Sequence, residues 1–285
     1  MKLTPLDHRT FIHITGTECR SFLQGLITVN IDMLSPENAL WTGLLSPQGK
    51  ALFDFFIYEF PNINGIFIDI HKDQIEALTD HLKKYKLRSD VTLNQATDFN
   101  CVSVWGTHDF PLQIPMHIFQ DPRHSEMGYR IILSDSHYDI LMETYKDNVA
   151  PYQDYIALRI DHMITDPAED LLGIDFYWPE IHAEKMNGLD YKKGCYVGQE
   201  VTARLKHKTE LKREIVRFYV MGNPITPIKI ATDVQEIGTL LCLNNNTHQG
   251  LAYVNLRYWK KAQETLRSIV AGDTIIKIIQ DENTL

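Results

Sequence analysis

The sequence predicts an α+β protein that ends in a small all-β unit. Two patterns carry this reading. The first hundred or so residues alternate strand-like runs with a helical one in the order strand, strand, helix, strand, the grammar of an α+β unit. From Leu211 onward, short β-branched and aromatic runs are separated by Gly, Asn and Pro turns, the signature of a sandwich or barrel. The length of 285 residues leaves room for two or three units at roughly 150 residues each.

Taken in order, FIHI at residues 11–14 reads as a strand. Residues 19–25 read as a short helix, with Phe22, Leu23 and Leu26 on one face. Ser35-Pro36 and Ser46-Pro47-Gln48-Gly49 are turns. ALFDFFIYEF is a long strand closed by Pro61-Asn62, and IFIDI after Gly65 is another. Residues 73–85 are expected to be helical: Ile75, Leu78, Leu82 and Tyr85 share a face, and Asp73 and Glu76 have capping-box-like spacing. CVSVW is a strand, residues 111–128 a Pro-rich loop, YRIIL a strand and residues 137–146 a helix. Pro151 opens a further helix over YQDYIALRI. REIVRFYV, IGTLLCL, GLAYVNL and TIIKIIQ are the strands of the final unit, and the change of texture at residues 206–212 marks a domain boundary.

Composition excludes several classes. A net charge of −9 argues against a general binder of nucleic acid or anionic membrane. No apolar run approaches 18 residues, so no membrane span is expected. Cys19, Cys101, Cys195 and Cys242 are too few and too scattered for a disulfide scaffold, and the N-terminus has no apolar signal core. The expectation is a soluble, cytoplasmic protein. The twelve histidines have no metal-ligand spacing, and GxSxG, GxGxxG and Walker loops are missing, so no metal site is assigned. Four dispersed cysteines also argue against a cluster of the protein's own.

The informative stretch is LDYKKGCYVGQEVTAR at residues 189–204. Cys195 follows Lys192, Lys193 and Gly194. Neighbouring ammonium groups favour a thiolate, and a helix starting near Gln199 would add its positive end. Gly194 and Gly198 permit unusual backbone angles or close approach. An inert cysteine in a Gly-rich turn is the alternative.

KGCYVGQE resembles the signature of the YgfZ family of folate-binding proteins. Three further segments match that family in order: Phe22-Leu23-Gln24-Gly25 with Thr28 and Asn30, Ser46-Pro47-Gln48-Gly49-Lys50 with Asp54, and Gly238-Thr239 with Gly250-Leu251-Ala252. The resemblance covers nearly the whole chain. It implies a T-protein-like (aminomethyltransferase) fold: two α+β domains, partly ferredoxin-like, and a C-terminal β-barrel around a central folate cavity. The corresponding division is 1–50 with 111–205 as the folate-binding domain, 51–110 as the ferredoxin-like part and 206–285 as the barrel. The implied role is assembly or repair of iron–sulfur clusters in client enzymes, including radical enzymes that modify tRNA, with Cys195 and Lys193 central. The implied cofactor is tetrahydrofolate or a derivative. Client enzymes or assembly machinery are the expected partners of a monomeric protein that does not itself bind nucleic acid or membrane. Departures are the loss of two family glycines after LRI, where residues 161–170 stand instead, and Asn255 where relatives often carry arginine.

Folate needs a carboxylate or amide for its pterin, apolar walls, and a cation for its glutamate tail. Glu180 is a candidate pterin partner, Tyr177 and Trp178 candidate walls, and Arg159 a candidate cavity cation. Gly194, Gln199 and Arg204 complete the candidate folate set. Against these stand a solvated glutamate, core aromatics and a surface ion pair. Residues 192–213 hold seven basic residues against two acidic ones, a stripe suited to a polyanion or simply a solvated face. Asp54 lies on an apolar strand and needs a reason; a catalytic carboxylate, as the T-protein resemblance implies, competes with a water-facing strand edge. Alternatives to the accessory role are a true aminomethyltransferase and a non-catalytic folate-sensing module.

Overall fold

A computed structural model describes residues 1–107, 116–207, 210–265 and 268–278. The chain divides into two compact units: Met1–Tyr152 with Phe176–Trp178 and Ala183–Ala203, and Gln153–Asp175 with Pro179–His182 and Arg204–Leu285.

The first unit begins with β1 (Lys2–Pro5), β2 (Arg9–Thr15), α1 (Cys19–Gln24), β3 (Leu40–Leu45), β4 (Ala51–Tyr58), β5 (Ile66–His71), α2 (Ile75–Lys86) and β6 (Thr92–Ala96). β2 to β6 form an antiparallel sheet in the order β3-β4-β5-β2-β6. Ile12, Ile14, Phe55, Ile57 and Ile68 bury one of its faces, and α2 adds Leu78 and Leu82, with Ile75 and Tyr85 packed alongside. The apolar face read from the sequence is therefore the packed one. The expected capping box is not formed. His71 caps a 3-10 turn over Lys72–Gln74 by accepting from the Asp73 amide, and Gln74 at the start of α2 makes no side-chain cap bond.

β7 (Phe99–Trp105), β8 (His117–Gln120), β9 (Tyr129–Ser134) and α3 (Asp135–Thr144) follow. With β1 they give a second antiparallel sheet, β1-β7-β9-β8, so the strands of residues 51–110 are shared between two sheets. Leu141 of α3 packs on Val102, Val104 and Ile131. β8 lies inside the stretch expected to be loop, the first part of which (residues 111–115) is outside the described residues. A buried ion network stitches the two sheets together. The Asp69 carboxylate accepts from Arg9 Nε at 2.6 Å, Arg130 Nη2 at 2.6 Å and the Tyr58 hydroxyl at 3.2 Å. Burial alone would raise the Asp69 carboxyl, but Arg9 and Arg130 together outweigh it and hold it below its ordinary value.

The second unit takes in α4 (Tyr152–Asp161) and α5 (Pro167–Asp170). α6 (Gln199–His207) then leads into β10 (Arg213–Met221), β11 (Ile228–Ala231), β12 (Glu236–Asn244), β13 (Gln249–Asn255), α7 (Leu256–Glu264), β14 (Ile269–Ala271) and β15 (Thr274–Ile278). The six strands close a barrel in the order β10-β13-β12-β11-β14-β15, as the β-rich tail led one to expect. Phe218, Ile230, Leu240, Ala252 and Val254 fill it together with Trp259 of α7. Asn255, the departure noted above, caps α7 by accepting from the Tyr258 amide.

Candidate thiol site

The signature segment lies across the loop that follows α1, and the two are zipped along their length. Thr28 Oγ1 donates to the Gly188 carbonyl at 2.7 Å, the Asp190 amide to Thr28 O at 3.0 Å and the Val197 amide to Gly25 O at 3.2 Å. Between these points the Lys193 ammonium enters the protein. It is 6% exposed and donates to the carbonyls of Gln24 at 2.8 Å, Ile27 at 2.6 Å and Val29 at 2.9 Å. Gln24 and Asn30 close the same loop: Gln24 Nε2 donates to Asn30 Oδ1, and Gln24 Oε1 accepts from the Ile31 amide. Burial lowers the Lys193 ammonium to about 8, with Asp190 pulling the other way, so at neutral pH it remains mostly protonated.

The glycines divide by role. Gly198 has φ +85°, and a Cβ there would stand 2.7 Å from Ser46 O and 2.9 Å from Leu45 Cβ. Gly49 has φ +78°, and its Cβ would stand 2.7 Å from Val201 Cβ. These two glycines let the signature and the Ser46–Gly49 turn interlock. Gly194 does neither: its φ lies outside the left-handed region and a Cβ would meet nothing within 4 Å. The backbone freedom expected of Gly194 is therefore not used. Cys195 is exposed between the zip points and precedes the first residue of α6 by four positions, outside that helix's first turn. Gln199 opens α6, its amide donating to Tyr196 O at 3.2 Å. Of the basic stripe, Lys193 is buried and Lys208 lies outside the described residues.

The other thiols differ. Cys101 and Cys242 are buried, and Cys19 is partly so. Burial pushes the Cys101 thiol up to about 12 and the Cys242 thiol well above its ordinary value.

Asp54 does not face water. It is 3% exposed, and its Oδ2 accepts from Trp41 Nε1 at 3.0 Å. Trp178 is fully buried, donates to the Gly188 carbonyl at 2.7 Å and packs against Trp41 in a tilted pair with centroids 4.8 Å apart. A Cβ on Gly43 would stand 2.8 Å from the Trp178 ring, and one on Gly188 2.5 Å from Trp41. Trp178 is thus core. Tyr177 is half-buried, with Lys50 Nζ 3.8 Å from its ring centroid.

In the second unit Glu180 is 4% exposed and accepts from the Tyr253 hydroxyl at 2.5 Å. Burial, then the charge of Glu180, raise the Tyr253 phenol, so it stays protonated and remains a donor. Arg159 is not on the surface: it is 1% exposed, with Nη1 donating to Asp170 Oδ2 at 2.7 Å and Nη2 3.5 Å from Glu169 Oε2. Residues 161–170 thus supply an ion-pair partner for a buried guanidinium. Arg204 is exposed on α6. Tyr253 and Trp41 were not singled out from the sequence. Tyr253 directly follows Gly250-Leu251-Ala252, and its pairing with Glu180 spans 73 positions. A cavity of about 300 Å³ in the first unit, lined by Arg9, Lys72, Gln95, Asn100 and Cys101 among others, contains none of the candidate catalytic or folate-binding residues.

No family model matches the chain. Among solved structures, glycine cleavage system aminomethyltransferase T from Bartonella henselae superposes with a TM-score of 0.76 over 100% of this chain and 86% of that one, at 13% identity. The class is therefore that of a T-protein-like α+β scaffold with a C-terminal barrel. Two curated relatives are each named iron-sulfur cluster assembly factor IBA57 homolog, mitochondrial. The one from Mycosarcoma maydis is 32% identical over 238 residues, 78% of this chain and 59% of that protein. The one from Coccidioides immitis is 32% identical over 245 residues, 77% of this chain and 57% of that protein. The chain is a homologue of these assembly factors and spans less than two thirds of their length, and the recognition drawn from the signature holds. The cytoplasmic expectation is corrected, because each of these relatives is named as mitochondrial. Few, scattered cysteines describe any compartment that keeps thiols reduced and do not separate one from another.

Proposed function

We infer that this chain supports the assembly or repair of iron–sulfur clusters in client enzymes, with Cys195 as its reactive thiol and a reduced folate as its cofactor. The observation that carries the reading is the placement of Cys195. It is the one exposed thiol of the four, and it sits on a segment fastened at both ends to the loop after α1. Homology to assembly factors supplies the process.

The residues present fit a folate in part. Glu180 belongs to the second unit, where it accepts from the Tyr253 hydroxyl, and is not part of this set. Tyr177 offers a half-buried aromatic ring, and the Lys50 ammonium beside it suits an anionic tail. Trp178 does not fit as a wall, being closed off by Trp41 and Gly43. When bound, the folate would bring one-carbon or redox chemistry; this chain's residues bind and orient it.

The test is maturation of a [4Fe–4S] client in cells lacking the protein. Cys195→Ser should abolish rescue while leaving the fold and calorimetric tetrahydrofolate binding intact. Full rescue by Cys195→Ser, or no heat with tetrahydrofolate, would remove the thiol and the folate halves of the reading respectively. Turnover in a glycine-cleavage assay with lipoyl carrier protein would instead identify an aminomethyltransferase.

A further inference from the structure

A lysine two positions before a reactive cysteine invites the reading that its charge activates the thiolate. The geometry points elsewhere. We propose that Lys193 is a positioning residue: its ammonium is an internal cation that fills a cage of three backbone carbonyls and so holds the Cys195 segment on the loop after α1.

An ammonium has three donors and no acceptor. Here three carbonyls, those of Gln24, Ile27 and Val29, converge on it within 2.9 Å, and the side chain is closed from solvent. All three protons are therefore matched by backbone oxygens. The carbonyls come from the last residue of α1 and the short loop after it, a turn that Gln24 and Asn30 close by bonding to each other. Without the ammonium, three buried acceptors would face one another with no donor at their centre, an arrangement that proteins avoid. The backbone bonds of Asp190 and Val197 flank this anchor on either side. Cys195 lies between Lys193 and Val197, so loss of the anchor leaves its segment tied only at the ends. The cage also explains why lysine is required: guanidinium N–H groups diverge in a plane and cannot all point from a single atom toward three converging oxygens. The proposal rests on the reading of Cys195 as the working thiol only for its consequence in cluster assembly.

The test needs no cluster assay. In the wild-type protein, nitrogen-15 NMR at mildly acidic pH should show the Lys193 ammonium as a discrete signal whose protons exchange with water at least tenfold more slowly than those of exposed Lys192. In Lys193→Ala, hydrogen-exchange protection of the Asp190 and Val197 amides should fall at least tenfold. Ammonium or methylammonium should restore it, whereas tetramethylammonium, which lacks N–H, should not. Lys193→Arg should behave like Lys193→Ala, and the midpoint of the pH profile for Cys195 alkylation should be the same in all three proteins. Fast exchange of the wild-type ammonium would overturn the proposal, and so would full amide protection in Lys193→Arg. Intact protection in Lys193→Ala together with an upward shift of the alkylation midpoint would show a thiolate activator instead. Should Lys193→Ala fail to fold, the wild-type ammonium signal decides the question.

Discussion

The two glycines flanking Cys195 look equivalent in the sequence, and the structure predicts opposite consequences for changing them. In Gly198→Ala the new methyl must occupy space 2.7 Å from Ser46 O and 2.9 Å from Leu45 Cβ, at φ +85°. A left-handed backbone at a non-glycine residue costs roughly 1 kcal/mol. Overpacking against atoms that cannot swing away adds about 1–3 kcal/mol. Both nearest atoms belong to backbone or to the root of a side chain, so relief must come from moving the turn or the signature segment. The sum of about 2–4 kcal/mol corresponds to a fall of about 5–15 °C in the thermal midpoint for a unit of this size. In Gly194→Ala the methyl enters open space at an ordinary φ, so the change should lie within about 0.5 kcal/mol of zero. The assay is thermal and urea unfolding of both variants followed by tryptophan fluorescence, since Trp41 and Trp178 lie in the same unit. A neutral Gly198→Ala, or a Gly194→Ala as damaging as Gly198→Ala, would refute the steric argument.

Limiting iodoacetamide at neutral pH should label Cys195 first, and Cys101 and Cys242 only after denaturation, as read by peptide mass spectrometry; the burial that lifts Cys101 to about 12 removes both access and thiolate. Acidification should destabilise the first unit: Asp69 is held below its unfolded value, so its contribution is present above the ordinary carboxylate range and lost as pH falls through the folded value, below about pH 4. Asp69→Asn should weaken the protein by about 3–5 kcal/mol at neutral pH, because it removes the carboxylate shared by two buried guanidiniums, Arg130 keeping only the more distant Asp121 at 4.0 Å, and should flatten the acid limb of a stability–pH curve. Tyr253→Phe removes the hydroxyl bonded to Glu180 and should cost about 1–3 kcal/mol in urea unfolding, whereas Tyr219→Phe, on an exposed ring, should be close to neutral.

What the sequence made legible follows from where burial is one-sided. α2 could be read because Leu78 and Leu82 face a sheet while its other side is wet, and the barrel could be read because its turns fall between β-branched runs. β6 could not: TLNQA is an edge strand with little buried surface, so no apolar alternation marks it. β11 and β14, at four and three residues, are too short to show a period. At the site, the motif announced itself but the direction of its side chains did not. Lys193 stands near Cys195 in the chain, yet its ammonium ends against carbonyls at least 164 positions away. Glu180 reads as an ordinary glutamate until a tyrosine 73 positions later is folded onto it.

The recurring segments of this chain are largely joinery, and that narrows where chemistry can reside. Gly198 and Gly49 exist in their positions because two backbones pass too closely for a Cβ. Gln24, Thr28 and Lys193 are consumed in holding one loop against another. The final pair of segments obeys the same rule: Gly238 faces Val254 across β12 and β13, and a Cβ on it would stand 2.2 Å from Tyr253 O. Once each of these residues has a structural partner, Cys195 stands out as an exposed signature side chain, and the proposed function makes it the reactive one. Under that proposal, a scaffold that fixes so many groups gives a defined approach to the thiol. Mutations in the joinery should therefore reduce activity in proportion to the order they remove from the Cys195 segment, whereas Cys195→Ser should remove activity with that order intact.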